Sequence, residues 1–517
     1  MAEYKVLLTT SGLGSRLGNL TKFTNKSLVR VGDKPAISHI IESYPQNIEF
    51  VVTLGHYGSH VKEYLTLAHP DKNIKFVEVE NYMGEGSSLL HSISLCEEHL
   101  QCPFIFHACD TILPKNYIDE IDFDSNWSLG GHGDSSSYRT LNCINGEIKS
   151  INEKGELNFD YVYIGVSGFY DYRNFWETSK QILSKVKTSD LSDCHVIRNM
   201  TNFTVKEIDE WYDIGNIDSL KRTRNNIKGT VHVLDKEDEN IFVFDDFVIK
   251  FFFNKKICSD RVARTKKLGG LVPKLIDSTE NFYKYEFVKA DLLADVVTTE
   301  KFSNLLTWAN EKLWIEKEDD SFRENALSFY AEKTLKRISK FLDKYDLEDK
   351  SDIINSDTVP PLYDMISSID FDNLIGSKPT GFHGDFILDN ILSHEKEFTL
   401  IDWRQDFNGS IDAGDMHYDI AKLNHNLTLT HKVLSDGLFT IDSKSDNISC
   451  DVYIKKSNLD CKTKLKEFCL ENNIPYDGIE ILTSLIWINM APLHEHPLDM
   501  FLYYFGKHNL FLNLYCK

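Results

Sequence analysis

Two short stretches carry residues whose types and spacing suit phosphate chemistry. Leu8-Thr-Thr-Ser-Gly-Leu-Gly-Ser-Arg-Leu17 follows an apolar run. Its glycines let backbone N–H groups turn inward around a polyphosphate, and Arg16 adds charge. Ten residues on, Lys26 precedes Gly32-Asp33-Lys34-Pro35. Far downstream, His383-Gly-Asp385-Phe-Ile-Leu-Asp-Asn390-Ile-Leu392 is followed by Phe398-Thr-Leu-Ile-Asp402-Trp403. Phosphoryl transfer needs a carboxylate to orient the acceptor hydroxyl, an Asn and a second Asp to hold metal, and a lysine on the nucleotide phosphates. Asp385 is the candidate base, Asn390 and Asp402 the candidate metal ligands, and Lys250, ending Phe247-Val-Ile-Lys250, the candidate phosphate lysine. His383 is expected to brace the loop rather than react.

Regular elements must position these groups. Short apolar runs at 4–9, 49–54, 74–79 and 103–107 alternate with helix-like patterns at 36–44, 59–67 and 87–99. That alternation predicts a parallel sheet with crossover helices. The first part is therefore expected to be α/β, with a mostly parallel, Rossmann-like sheet. From about Thr230 the pattern turns hairpin-like, around 231–234, 241–244 and 247–252, with Asp245-Asp246 as turn residues. Beyond 293 it is mostly helical, with amphipathic stretches at 301–314 and 321–345 and a long apolar stretch at 479–515. The expected division is 1–228 and 229–517, the latter a bilobal α+β domain with an N-lobe of about 229–290 and a helical C-lobe of about 291–517.

Composition narrows the classes. A chain of 517 residues predicts two to four domains at about 100–200 residues each. Its 42% hydrophobic and 26% charged residues exclude a disordered, collagen-like or coiled-coil chain. A net charge of -22 has the wrong sign for a nucleic-acid binder, so no nucleic-acid partner is expected. An acidic chain can still take anionic nucleotides when carboxylates hold Mg²⁺ and Mg²⁺ holds phosphate. No run of ~18 uncharged apolar residues appears and the start lacks a basic n-region, so a soluble, cytoplasmic chain without membrane insertion is expected. Ten cysteines show no C-x-x-C pair and no zinc spacing, and read as reduced, mostly buried thiols.

Residues 5–45 resemble the signature of the sugar-phosphate nucleotidyltransferase family, G-x-G-[ST]-R followed by a lysine and then G-x-K-P. The resemblance continues in order to about 225. It implies nucleotide contacts from Ser11, Gly12, Gly14, Ser15 and, in Gly84-Glu-Gly86-Ser-Ser, from Gly86. Asp110, after Pro103-Phe-Ile-Phe-His-Ala-Cys, sits where the family has its first metal-binding aspartate, and Asp213 in Trp211-Tyr-Asp213-Ile-Gly215 where it has its second. Lys154 in Ile151-Asn-Glu-Lys154 matches the lysine that meets the sugar phosphate. In the implied reaction a phosphate monoester attacks the α-phosphorus of an NTP and pyrophosphate leaves, with Mg²⁺ on Asp110 and Asp213 and the cations Arg16 and Lys26 neutralising charge. Thr10-Ser11 replaces the two alanines usual before the loop, so base identity does not carry over.

Residues 229–517 resemble the aminoglycoside phosphotransferase and choline kinase family through H-G-D-x-x-x-x-N-I-L at 383–392 and I-D-W at 401–403. Tyr283-Lys-Tyr-Glu286-Phe-Val resembles the segment joining the two lobes, which places Glu286 at the nucleotide, and Gly414-Asp415 with Tyr418-Asp-Ile-Ala421-Lys resembles a family helix. Two features depart from the family. Ser259-Asp260-Arg-Val-Ala-Arg264 offers no glutamate to Lys250, leaving Asp260 with a shorter reach, and 234–240 is acidic rather than glycine-rich. Together the resemblances imply a bifunctional enzyme with one Mg²⁺ site per domain, using ATP and a second NTP. It would phosphorylate a sugar and then couple the sugar phosphate to an NMP unit, as in capsule or lipopolysaccharide assembly. One alternative is choline or another amino alcohol activated with CTP, for which Trp487, Tyr503, Tyr504 and Phe505 could supply an aromatic cage, although such spacing more often marks core. A non-catalytic regulatory or scaffold protein is the second alternative, against which the intact ligand set argues. Small molecules and nucleotides are the expected partners, and oligomerisation is left open.

Overall fold

The computed structural model describes residues 4–115, 117–120, 123–186, 189–230, 236–443 and 447–516. The chain forms two compact units, one of 1–258 with 276–287 and the other of 259–275 with 288–517.

The first unit is built on a nine-stranded sheet. Its order is Asn73–Glu78, Glu49–Leu54, Lys5–Thr9, Phe104–Ala108, Tyr161–Phe169, Asn126–Gly131, Phe203–Ile208, Glu147–Asn152 and Thr140–Ile144. The first four strands are parallel, as their alternation with helices predicts. Past residue 110 the sheet departs from the mostly parallel expectation. Tyr161–Phe169 runs antiparallel to two neighbours, and Thr140–Ile144 pairs antiparallel with Glu147–Asn152. Connections as short as Asn145-Gly146 cannot carry a crossover, so the chain must fold back on itself there. The sheet is mixed.

The hairpin expected to open the second domain is present, with Glu239–Val243 antiparallel to Phe247–Phe252 and the latter to Phe282–Glu286. The expected strand at 231–234 lies outside the described residues. These strands pack within the first unit, on the Gly58–Ala68 helix, because that helix presents aromatic and polar partners on one face. Tyr64 and Phe242 stack edge-on with centroids 5.1 Å apart, Glu63 accepts from the Asn281 N–H at 2.9 Å, and Lys284 Nζ donates to the Leu67 carbonyl at 2.8 Å. The packing boundary therefore falls later than 228.

The second unit is mostly helical. The amphipathic stretch at 321–345 is not one regular helix: Phe322–Leu327 and Lys333–Tyr345 flank a π-helical turn at Ser328–Glu332. The 479–515 stretch divides into Tyr476–Met490 and Leu498–Tyr515. A hairpin of Ile391–His394 and Glu397–Leu400 carries the second motif. Trp487, Tyr503 and Tyr504 are buried, with Trp487 against Phe505 and Tyr503 stacked on Phe341, so this aromatic set packs helices together. Among the described residues no helix is long and apolar enough to cross a membrane. All ten cysteines are free thiols, and only Cys516 is exposed.

Candidate functional site

In the first unit a cleft of 380 Å³ opens at the carboxyl ends of the parallel strands, the edge where α/β sheets place ligands. Ser11, Gly12, Gly14, Ser15, Arg16 and Lys26 line it together with Asp110 and Gly215. Gly86 stands just outside, the wall there being made by Ser87 and Ser88. Gly14 has φ +66, and a Cβ on it would come within 2.8 Å of Lys26 Cβ. Only glycine lets the loop close over that lysine. The two departures before the loop are structural: Thr10 donates to the Thr53 carbonyl and Ser11 to Ser92, so both hydroxyls are used in holding the loop. Asn25, which the motif pattern does not mark, is fully buried and ties the loop to its neighbour by donating to Thr10 O at 2.8 Å and His56 O at 2.6 Å.

Asp110 ends its strand turn, and Asp213 reaches it through a two-stranded pairing of Thr111–Ile112 with Tyr212–Asp213. The Ile214 N–H donates to Asp110 O at 3.0 Å, locking the two segments together. A Cβ on Gly215 would lie 2.8 Å from Asp213 Oδ1, 3.3 Å from Oδ2 and 3.4 Å from Asp110 Oδ2. Both carboxylates thus face one small space that a side chain at 215 would fill. Two hard oxygen donors around such a cradle fit Mg²⁺. Asp213 is oriented by the Gly215 N–H at 2.7 Å and by the Tyr138 hydroxyl at 2.8 Å, a partner that sequence reading missed.

Lys26 is hydrogen-bonded to Asp110. Burial alone would lower the Lys26 pKa, but the Asp110 carboxylate outweighs it and holds the ammonium above its ordinary value. Burial likewise opposes ionisation of Asp110, and Lys26 overcomes it, keeping the carboxyl below its ordinary value. The pair is a charged pair at neutral pH. Lys154 follows the Glu147–Asn152 strand and its pKa is pulled down, first by the protein around it and then by Arg16 and Arg139, while Asp213 and Asp110 pull the other way. It therefore stands in electrostatic range of the cleft. Its neighbour Glu153 turns to Arg139 and Arg198, at 3.0 and 2.6 Å.

In the second unit the loop from His383 to Asn390 brings its candidates together. Asn390 Nδ2 donates to Asp385 O at 2.9 Å and to Asp385 Oδ2 at 3.1 Å. Asp402 follows the hairpin with φ 59, its flanking backbone fixed by Ile401 N–H on Asn390 O at 2.9 Å and Arg404 N–H on His383 O at 3.0 Å. His383 is buried, its pKa pushed down to about 4 by burial, and its Nε2 meets Ile401 O at 2.9 Å, a bracing role. Sequence reading missed three partners. Lys422 pairs with Asp385 at 2.7 Å, and although burial opposes ionisation this ammonium drives the Asp385 carboxyl far below its ordinary range. Asp419 Oδ2 accepts from His383 N at 2.8 Å and Trp314 Nε1 at 3.1 Å, and Oδ1 from Gly384 N at 2.7 Å. Arg264, fully buried, donates to the carbonyls of Phe382, His383 and Arg404 and stacks 3.8 Å over Phe382. Asp419 and Lys422 lie in the stretch marked as a family helix, Met416–Thr428, one turn apart or less. Lys250 and Glu286 belong to the first unit, on its Phe247–Phe252 and Phe282–Glu286 strands, and their nucleotide roles stand on the resemblance.

No family model matches the chain. The bifunctional protein GlmU of Methanococcus vannielii is 19% identical over 119 residues, 23% of this chain and 27% of that protein. The match thus spans about a quarter of that relative's length. The structure of CTP:phosphocholine cytidylyltransferase from Streptococcus pneumoniae is similar over 44% of this chain and 100% of that one, with 18% identity and a TM-score of 0.37. The inositol-1-phosphate CTP transferase from T. maritima is similar over 45% and 99%, with 17% identity and a TM-score of 0.37.

Proposed function

We propose that the first unit transfers an NMP unit from an NTP to a phosphate monoester. The second unit, in the same reading, makes such a monoester from ATP and an alcohol, a sugar or related polyol. The observation that carries the first half is the small space shared by Asp110 and Asp213 beside the glycine loop and Lys26. Arg16 and Lys26 meet the triphosphate and stabilise the departing pyrophosphate, while Lys154 holds the monoester phosphate. The monoester oxygen bonds to the α-phosphorus, the bond to the α–β bridging oxygen breaks, and pyrophosphate leaves with that electron pair. Asp110 and Asp213 would hold Mg²⁺, which would supply positive charge to the reacting phosphates.

In the second unit Asp385, kept ionised by Lys422, orients the acceptor hydroxyl and takes its proton as the oxygen bonds to the γ-phosphorus of ATP and ADP leaves. Asn390 and Asp402 are the metal-holding side chains there. The full chain, assayed for ADP and pyrophosphate separately, tests the division. Asp385→Asn should abolish ADP formation and leave pyrophosphate release from a supplied monoester. Asp213→Ala should do the reverse, losing about 2 kcal/mol or more of transition-state stabilisation, a rate loss of about 30-fold. Loss of both activities in either folded variant counts against two sites, and no turnover of any NTP would favour a non-catalytic protein.

A further inference from the structure

Beside Lys422 the second unit holds a cavity of 130 Å³ whose lining carries four cationic side chains: Lys333, Arg337, Arg404 and Lys422. The cavity has room for more than a single water. Lys333 and Arg337 come from one face of the Lys333–Tyr345 helix, one turn apart, and Lys422 from the Met416–Thr428 helix. Arg404 is set by the residue order that also sets Asp402, two positions earlier. Lys422 spans the two features, since it lines the cavity and pairs with Asp385 at 2.7 Å.

The protein balances the charges in this cavity only in part. Asp385 answers Lys422, and Arg404 Nε is engaged by the Asp406 carbonyl at 3.0 Å. Arg337 donates to the Asn489 carbonyl at 3.0 Å, a neutral acceptor. Lys333 makes no hydrogen bond and no close ion pair among the described residues, and the Asp406 carboxylate acts on it only from a distance. Its Nζ lies 3.7 Å from the Phe329 ring centroid and 5.8 Å from that of Tyr418. The π-helical turn just before it places Phe329 under the ammonium, and such turns are concentrated at functional sites. Four cationic side chains with one close carboxylate between them favour an anion over a cation in this half-buried space.

We propose that this cavity is the acceptor subsite of the second unit and that it binds an anionic group, a carboxylate or a phosphate, carried by the alcohol that is phosphorylated. The inference rests on reading Asp385 as the base of a phosphotransferase. It deepens that reading, because it makes the acceptor an acidic sugar or polyol and excludes a quaternary ammonium from the same place. Burial, and after it Arg404, Arg337 and Lys422, push the Lys333 pKa well below its ordinary value, so an anion in the cavity would restore a favourable environment for its charge.

Lys333 can be followed as a site-resolved probe, since its Nζ lies against the Phe329 ring rather than in a hydrogen bond. The full chain is treated with a limiting neutral acylating reagent at constant ionic strength, and Lys333 labelling is followed by peptide mass spectrometry. Inorganic phosphate and malonate are added in separate arms, and choline and Mg²⁺ with a non-hydrolysable ATP analogue in two more. Either anion at ten times its Kd should slow Lys333 labelling about tenfold, the free fraction expected from simple binding. Protection by phosphate alone assigns a phosphate-bearing acceptor, and by malonate alone a carboxylate-bearing one. Arg337→Gln, checked for an unchanged melting profile, should weaken the protection. Protection by choline or by the nucleotide analogue alone, or by nothing, overturns the proposal. Asp385→Asn separates it from the reading beneath: that variant should keep Lys333 protection and lose ADP formation. If it keeps ADP formation, the phosphotransferase reading fails and the anion subsite stands.

Discussion

Replacing Asp419 by Asn should disable the second unit's loop while leaving the first unit untouched. Both oxygens of Asp419 are used, Oδ2 by the His383 N–H at 2.8 Å and Trp314 Nε1 at 3.1 Å, and Oδ1 by the Gly384 N–H at 2.7 Å. An asparagine has a single carbonyl oxygen, so its best orientation serves the first pair and turns an amide N–H₂ against the Gly384 N–H. One hydrogen bond is lost and two buried donors face each other, at about 1–3 kcal/mol for each group left unsatisfied. A total near 3 kcal/mol corresponds to about a 100-fold fall in ADP formation if the loop shifts by the amount that relieves the clash. Wild-type pH dependence tests the same contact. Burial raises the Asp419 pKa to about 6, well above that of an unfolded carboxyl. A folded pKa raised in this way means that the native state gains a proton as pH falls below about 6, which relieves the cost of the buried charge and at the same moment removes an acceptor from the loop. ADP formation should therefore fall below about pH 6 without a matching loss of thermal stability from this group, and Asp419→Asn should flatten that step. ADP formation by Asp419→Asn within about twofold of wild type would refute the reasoning, because a difference that small is under 0.5 kcal/mol.

Gly215→Ala should abolish pyrophosphate release with little change in melting temperature, since the added methyl would sit 2.8 Å from Asp213 Oδ1 in the space the two carboxylates share; near-normal turnover with Mg²⁺ would remove the metal assignment. Lys154→Ala should lower kcat/KM for the monoester and leave NTP affinity nearly unchanged. If instead only NTP binding weakens, Lys154 serves the nucleotide. Sugar 1-phosphates and phosphocholine assayed side by side on the wild-type chain separate the substrate classes, and acceptance of phosphocholine alone would refute the sugar reading.

The residues legible in the sequence are those whose chemistry is set by their immediate chain neighbours. A phosphate loop needs glycines at fixed offsets, and the turn from His383 to Asn390 brings Asp385 and Asn390 within hydrogen-bonding distance because only four residues separate them. The partners that tune these groups come from elsewhere in the chain and leave no local mark. Lys422 reaches Asp385 across 37 positions of sequence, Asn25 serves Thr10 across 15, and Tyr138 meets Asp213 across 75. The sheet was legible to residue 110 for the same reason, since strand and crossover helix alternate locally, and illegible beyond it, where pairing is decided by which edge is still open. The domain edge shows the limit most plainly. The hairpin at 239–252 is readable as a hairpin, but nothing in those residues announces that Phe242 will meet Tyr64.

The distribution of charge joins the two sites into one chemical argument. In a chain of net charge -22, Arg16, Lys26 and Lys154 come into electrostatic range at one cleft and four more cationic side chains line one cavity. In the first unit the carboxylates Asp110 and Asp213 stand among those cations, the mixture that a metal-bound polyphosphate requires. In the second, Lys422 pairs with Asp385 and also lines the cationic cavity, the mixture that the proposed anion-bearing alcohol would meet. A product carrying both its own acid group and a new phosphate would then be a dianionic or more highly charged monoester. Lys154 stands in electrostatic range of Arg16 and of Arg139, the latter paired with Glu153 at 3.0 Å. Replacing Arg139 with Gln should penalise a monoester that bears a further acid group more than one without it in pyrophosphate release, and equal penalties for the two would separate the substrate charge of the second site from that of the first.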